Sequence, residues 1–278
     1  METNFTKVCN FNKSFGLPHF DSLQLDIFDN TSLVNLRKNL INEEIEELND
    51  AFKTHNFTEV IDALSDILYV VYGAGSSFGI NIDETFDQIF KIYEIEIQHK
   101  ISNSNNNNKS QENIKLQLQN NYEMVKQFIT DKTNYNIPLT VQSNIFSLDK
   151  TDTLTTNIDN ILKDLNKENT IFNSEIDNKN LNVITVNLNS LLFITYKIGI
   201  LLGIDLNSTF SIVHESNMSK LCKTEQEAID TVEWYKINEK RYDSPEYRKS
   251  DFDDYYVVFN KNTGKILKSI NYTPAKFD

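Results

Sequence analysis

A chain of 278 residues with 39% hydrophobic content can bury one large core or two small ones, so it reads as globular. Its formal net charge of −13 leaves no broad basic surface to displace counterions from phosphates, which excludes a nucleic acid as the main partner. A small anionic substrate would need a metal ion between it and so acidic a site.

Cys9 and Cys222 stand far apart, so neither a disulfide framework nor a cysteine-rich zinc site is expected, and a reducing compartment fits. The N-terminus shows no basic segment followed by an apolar run. The most apolar stretch, residues 188–204, is broken by Asn189, Ser190, Thr195, Lys197 and two glycines. Neither a signal peptide nor a membrane span is predicted. The abundance of Asn, Lys and Ile is what an AT-rich genome produces, and the expected location is the cytoplasm, or the host cytoplasm if the gene is viral.

Along the chain, Leu33, Leu36, Leu40, Ile41, Ile45, Leu48 and Phe52 recur at helical spacing. Val60, Leu64, Ile67, Leu68, Val71 and Ala74 do so again, which predicts two amphipathic helices joined near residues 55–57. A polar stretch opening with SNSNNNN at Ser102 reads as a linker. Residues 60–86 then lie over residues 184–210 without a gap, pairing Leu68 with Leu192, Tyr72 with Tyr196, Gly75 with Gly199, Gly79 with Gly203 and Phe86 with Phe210. Weaker upstream matches set residues 8–11 against 125–128 and Pro18 against Pro138.

Each half alone has too little core to cover its apolar face, whereas two halves can cover each other. The expected fold is mainly α: a four-helix-bundle-like pseudo-dimer within one chain, with a small C-terminal helix and β-hairpin. The expected units are 1–102, a linker at 103–118, 119–220, and an extension at 221–278. In that extension Thr224 and Glu227 form a capping box. Residues 255–259 and 265–270 look like strands, joined by the turn residues 260–264.

The chemistry concentrates in two acidic faces. Glu43, Glu44 and Glu47 lie on the first helix, and Glu59, Asp62 and Asp66 lie at spacings of three, four and seven on the second. Antiparallel packing would bring the faces together. Clustered carboxylates repel one another unless a cation neutralises them, and all-oxygen ligands select Mg²⁺ or Mn²⁺. The Glu run alone would read as a solvated face; the second face, flanked by apolar residues, favours a site.

EEIEE followed by EVID resembles the EExxE…ExxD signature of the MazG-like nucleotide pyrophosphohydrolases, a superfamily that includes phosphoribosyl-ATP pyrophosphohydrolase. Two flanking segments, KVCNFNKSFGLP and VHESNMSK, are similar to those that bracket the acids in one branch. The resemblance implies an all-α, Mg²⁺-dependent enzyme that cleaves a nucleotide to its monophosphate and pyrophosphate. It implies Glu44, Glu47, Glu59, Asp62 and Asp66 as metal ligands, with Asp62 and Asp66 both open as the principal one, and Glu43 as base. It also places phosphate contacts on Asn217 and Lys220.

The repeat sets Val183, Val186 and Ser190 opposite Glu59, Asp62 and Asp66, so the second half lacks the acidic face. If the register continues, Tyr93 and Glu96 stand opposite Asn217 and Lys220. One composite site is therefore expected, with metal ligands from the first half and phosphate contacts from the second. A nucleotide is the expected partner, with no nucleic acid and no membrane, and a further homodimer is open.

The alternative is a non-catalytic nucleotide sensor or scaffold. His19, His55, His99 and His214 lack metal-site spacing, and Gly73, Gly75 and Gly79 suit helix packing and capping rather than a phosphate loop. Trp234, Tyr235, Tyr255 and Tyr256 fit either base stacking or core packing.

Overall fold

The computed structural model describes residues 2–86 and 153–277, with side chains in the second stretch from residue 158. The expected linker lies outside these residues, as do Tyr93, Glu96, His99 and the upstream matches at 125–128 and Pro138. The described chain is mainly helical: α1 (Asn4–Ser14), α2 (Thr31–Lys53), α3 (Phe57–Phe78), α4 (Thr153–Asp177), α5 (Leu181–Leu202), α6 (Leu206–Met218) and α7 (Glu225–Asn238). The strands β1 (Pro245–Lys249) and β2 (Tyr256–Asn260) follow.

Helices α2 and α3 form one hairpin and α4 and α5 another. α2 packs on α4 and α3 on α5, which closes a four-helix bundle around a core shared by both halves. The two hairpins repeat one another in detail at an offset of 124 residues, the separation of Gly79 and Gly203. Asn56 and Asn180 cap α3 and α5 by accepting from the backbone N–H three residues on. The residues before these caps, His55 and Lys179, both take positive φ (54° and 58°). Gly79 and Gly203 end the same helices in the left-handed conformation, φ 70° and 72°, which a side chain would disfavour.

The contacts between the halves come in exchanged pairs. Ser65 hydrogen-bonds Thr209 at 2.9 Å, and the Asn189 amide donates to Thr85 at 3.0 Å. Asn49 donates to Asn166 at 2.9 Å, and Asn173 donates to Asn42 at 2.7 Å. Tyr72 and Tyr196, both fully buried, hydrogen-bond each other. Such pairing is the geometry of a two-fold axis, here within one chain.

α5 is long and apolar enough to cross a membrane by length and composition, but its buried residues include Ile184, Leu188, Leu191, Leu192 and Tyr196, all in the shared core. α1 docks across α3 and α6, with the Asn4 amide donating to Asn207 Oδ1 at 2.8 Å.

The C-terminal extension differs from the sequence expectation in its pairing. β2 falls where a strand was expected, but its antiparallel partner is β1, with Tyr247 opposite Val258; residues 265–270 contribute an isolated bridge between Ile266 and Phe259. β1 reads PEYRK, whose charged residues hide a strand from any test of apolar alternation. Leu36 also departs from expectation: it is 48% exposed, because the edge of the α2 apolar stripe faces a cavity instead of the core.

Candidate active site between the two halves

A cavity of about 510 Å³ opens where α2 and α3 meet α1, α6 and the C-terminal segment, a size suited to a nucleotide-scale ligand. Glu44 from α2 and Asp62 and Asp66 from α3 line it on one side, and Asn217 and Lys220 from the end of α6 on the other. Residues more than a hundred positions apart thus share one cavity. Glu47, Glu43 and Glu59 are exposed and do not line the cavity. Glu47 still couples electrostatically to Glu43, Asp62 and Glu59, so it belongs to the same acidic rim.

Electrostatics mark the acids as a strained group. Burial, then the charges of Asp66, Glu47, Glu43 and Asp62, pushes Glu44 up to about 8. Asp66 is pushed up to about 7 by burial and Asp62, with Lys220 opposing. Asp62 is raised by burial and Glu59. Glu44 Oε2 is buried and has no hydrogen-bond partner, a position that a cation would satisfy. Among the described residues, no three acidic, histidine or cysteine side chains stand close enough to share a metal ion as they lie. Convergence of Glu44, Asp62 and Asp66 on one ion would require their side chains to rotate.

The opposite wall is cationic and preorganised. The Lys220 ammonium donates to Asn217 Oδ1 at 2.6 Å, and burial, with Lys268 nearby, lowers its proton affinity. Asn217 also hydrogen-bonds the buried Tyr69 hydroxyl, which contacts His214 Nδ1 at 3.2 Å. Burial holds His214 down at about 4, so the ring is neutral at ordinary pH.

Lys268 and Tyr272 are among the lining residues that carry no signal in the sequence. Lys268 sits with its ammonium 4.2 Å from the Tyr272 ring centre, and Tyr272 is held by the Ser216 hydroxyl donating to its oxygen at 3.1 Å. Only the fold of the C-terminal segment brings them here; a lone Lys in a polar tail carries no spacing signal. Conversely Trp234, Tyr235, Tyr255 and Tyr256 are absent from the lining, and Tyr235 packs in a separate small core with Cys222 and Val258.

The phosphoribosyl-ATP pyrophosphohydrolase family matches residues 9–91, a span that holds every one of the cavity's carboxylates and none of Asn217, Lys220 or Lys268. The uncharacterized protein L479 of Acanthamoeba polyphaga mimivirus is 34% identical over 270 residues, covering 96% of this chain and 91% of the relative. No solved structure matches. The chain belongs to one family with that viral protein, and its residues 9–91 carry a phosphoribosyl-ATP pyrophosphohydrolase domain, consistent with the all-α MazG-like superfamily and with hydrolysis of a pyrophosphate-containing substrate.

Proposed function

We propose that the protein is a Mg²⁺- or Mn²⁺-dependent nucleotide pyrophosphohydrolase, which cleaves a (d)NTP or related nucleotide to its monophosphate and pyrophosphate. The observation that carries this reading is the cavity itself, where three carboxylates with raised proton affinity face two lysines across a space of nucleotide size. Glu44, Asp62 and Asp66 would hold the metal, with Glu47 and Glu59 adding charge at the rim. The ion would supply charge neutralisation at the phosphates and a more acidic bound water.

The chain's own residues do the rest. Lys220, positioned by Asn217, and Lys268 place positive charge where the leaving pyrophosphate accumulates negative charge. The Asn217 amide can donate to a phosphate oxygen. Phe11, Tyr69 and Val213 make the surrounding wall apolar, which keeps the local dielectric low and strengthens both effects. Glu43 is exposed and outside the lining, too far from the cavity to act on a phosphate held there.

We read the two hairpins as copies of one duplicated unit, of which the first keeps the acids and the second supplies Asn217 and Lys220. The shared caps and exchanged contact pairs support this. Pyrophosphate release from a panel of NTPs and dNTPs, with Mg²⁺ and with chelator, tests the activity. Nucleotide binding without release in any metal would instead indicate a sensor.

A further inference from the structure

The cavity has a second charged end that hydrolysis of the phosphate chain leaves unused. Arg37 lies seven residues before Glu44 on α2, and Gly73 lies seven residues after Asp66 on α3. Because the helices are antiparallel, both stand two turns, about 10 Å, to the same side of the carboxylates. That is roughly the reach from the α-phosphate of a nucleotide to the far edge of its base.

Arg37 is buried, 7% exposed, yet no acid pairs with it among the described residues. Its Nε donates to Ser77 Oγ at 2.9 Å, and Ser77 Oγ donates in turn to the Pro18 carbonyl at 3.1 Å. This relay orients the guanidinium and, among the described residues, occupies Nε alone, leaving both Nη groups as donors beside the cavity. Gly73 makes the room, since a Cβ there would stand 2.9 Å from Nη1.

A buried cation without a counter-ion is costly, and a ligand that supplies acceptors offsets the cost. At the same offset of 124 residues the second half has Ile161 and Lys197 in these two places, so the pair is missing from the hairpin that lacks the acids.

The surroundings indicate which acceptor. Leu17, Leu36, Leu40 and Val70 give this end apolar walls, which suit a flat ring better than a hydrated phosphate, and Arg37 is the cation there. A guanidinium only donates, so it favours a carbonyl oxygen and is mismatched with an amino group. Resting on the pyrophosphohydrolase reading of the other end, we infer that the Arg37 end of the cavity holds the substrate's base and selects bases that present a carbonyl oxygen, such as guanine or uracil, over adenine.

The test is calorimetric titration of the full chain, in Mg²⁺ buffer, with GMP, UMP and AMP, which lack the bond to be cleaved. Wild type should bind GMP and UMP about tenfold or more tightly than AMP, and Arg37→Met should shrink the ratio to within about threefold. The variant should still fold, because an apolar side chain replaces a buried unpaired charge, and its melting temperature checks this. Equal binding of AMP by wild type overturns the inference, and so does a preference that survives Arg37→Met. Loss of ribose 5-phosphate binding in the variant, with no base preference, would give the guanidinium to a phosphate and overturn it too. Pyrophosphate release from all triphosphates alike would retire the base selection and leave the hydrolase reading standing. Neither binding nor release would remove both.

Discussion

The α2–α3 and α4–α5 hairpins match in the caps and left-handed terminal glycines of α3 and α5 and in equivalent buried residues, yet among the described residues only one carries a concentration of buried charge. Where α3 has Asp62 and Asp66, α5 has Val186 and Ser190. Glu168 stands at the place of Glu44, but it accepts a hydrogen bond from Asn187 at 2.8 Å, and Asn187 occupies the place of Ala63. The amide satisfies that carboxylate within its own hairpin. The scaffold and the site are thus separable: core packing and capping hold the hairpin, while the acids add repulsion that the fold tolerates in one copy.

The largest expected effect breaks the symmetry directly. Glu44→Gln should lower turnover about a hundredfold or more, while Glu168→Gln at the matching place should change it less than about twofold. Pyrophosphate release measures both, and equal losses would contradict a site confined to one hairpin. Lys220→Ala should lower kcat/KM by roughly a hundredfold while metal affinity in the absence of nucleotide stays nearly constant. A Lys220 variant with full activity would reduce the second half to a structural cover.

A smaller effect is on stability. Glu44 and Asp66 bind protons more tightly folded than unfolded, so their contribution is fully present below about pH 4 and is lost as pH rises through about 7 and 8. Thermal melts of metal-free protein should fall by a few degrees between pH 6 and pH 9, and Glu44→Gln should flatten part of that slope. An unchanged slope in the variant would remove Glu44 as its source. The smallest effect concerns the asparagine contacts. Asn49→Ala and Asn173→Ala, at matching places, should each cost about 1 kcal/mol or less and by similar amounts. A clear inequality in their melts would show that the symmetry of geometry is not one of energy.

The α2–α3 hairpin and α5 were legible because they depend on local rules: apolar spacing of three and four, and the Gly that ends α3 and α5 alike. The acidic faces were legible for the same reason, since i, i+3 and i, i+4 spacing sets which carboxylates share a face. β1 escaped because strand pairing is non-local and its charged residues alternate poorly.

The sequence by itself therefore determined the helices, the repeat and the acids, all of which follow from short-range periodicity. Tertiary structure alone decided which acids turn inward, so that Glu44 lines the cavity while Glu43 and Glu47 face solvent. It also decided that Lys268 and Tyr272 arrive from the C-terminal segment, and that Arg37 lies buried against Gly73 with no counter-charge among the described residues. These depend on where separate segments meet. Packing of distant surfaces sets that, and no local spacing encodes it.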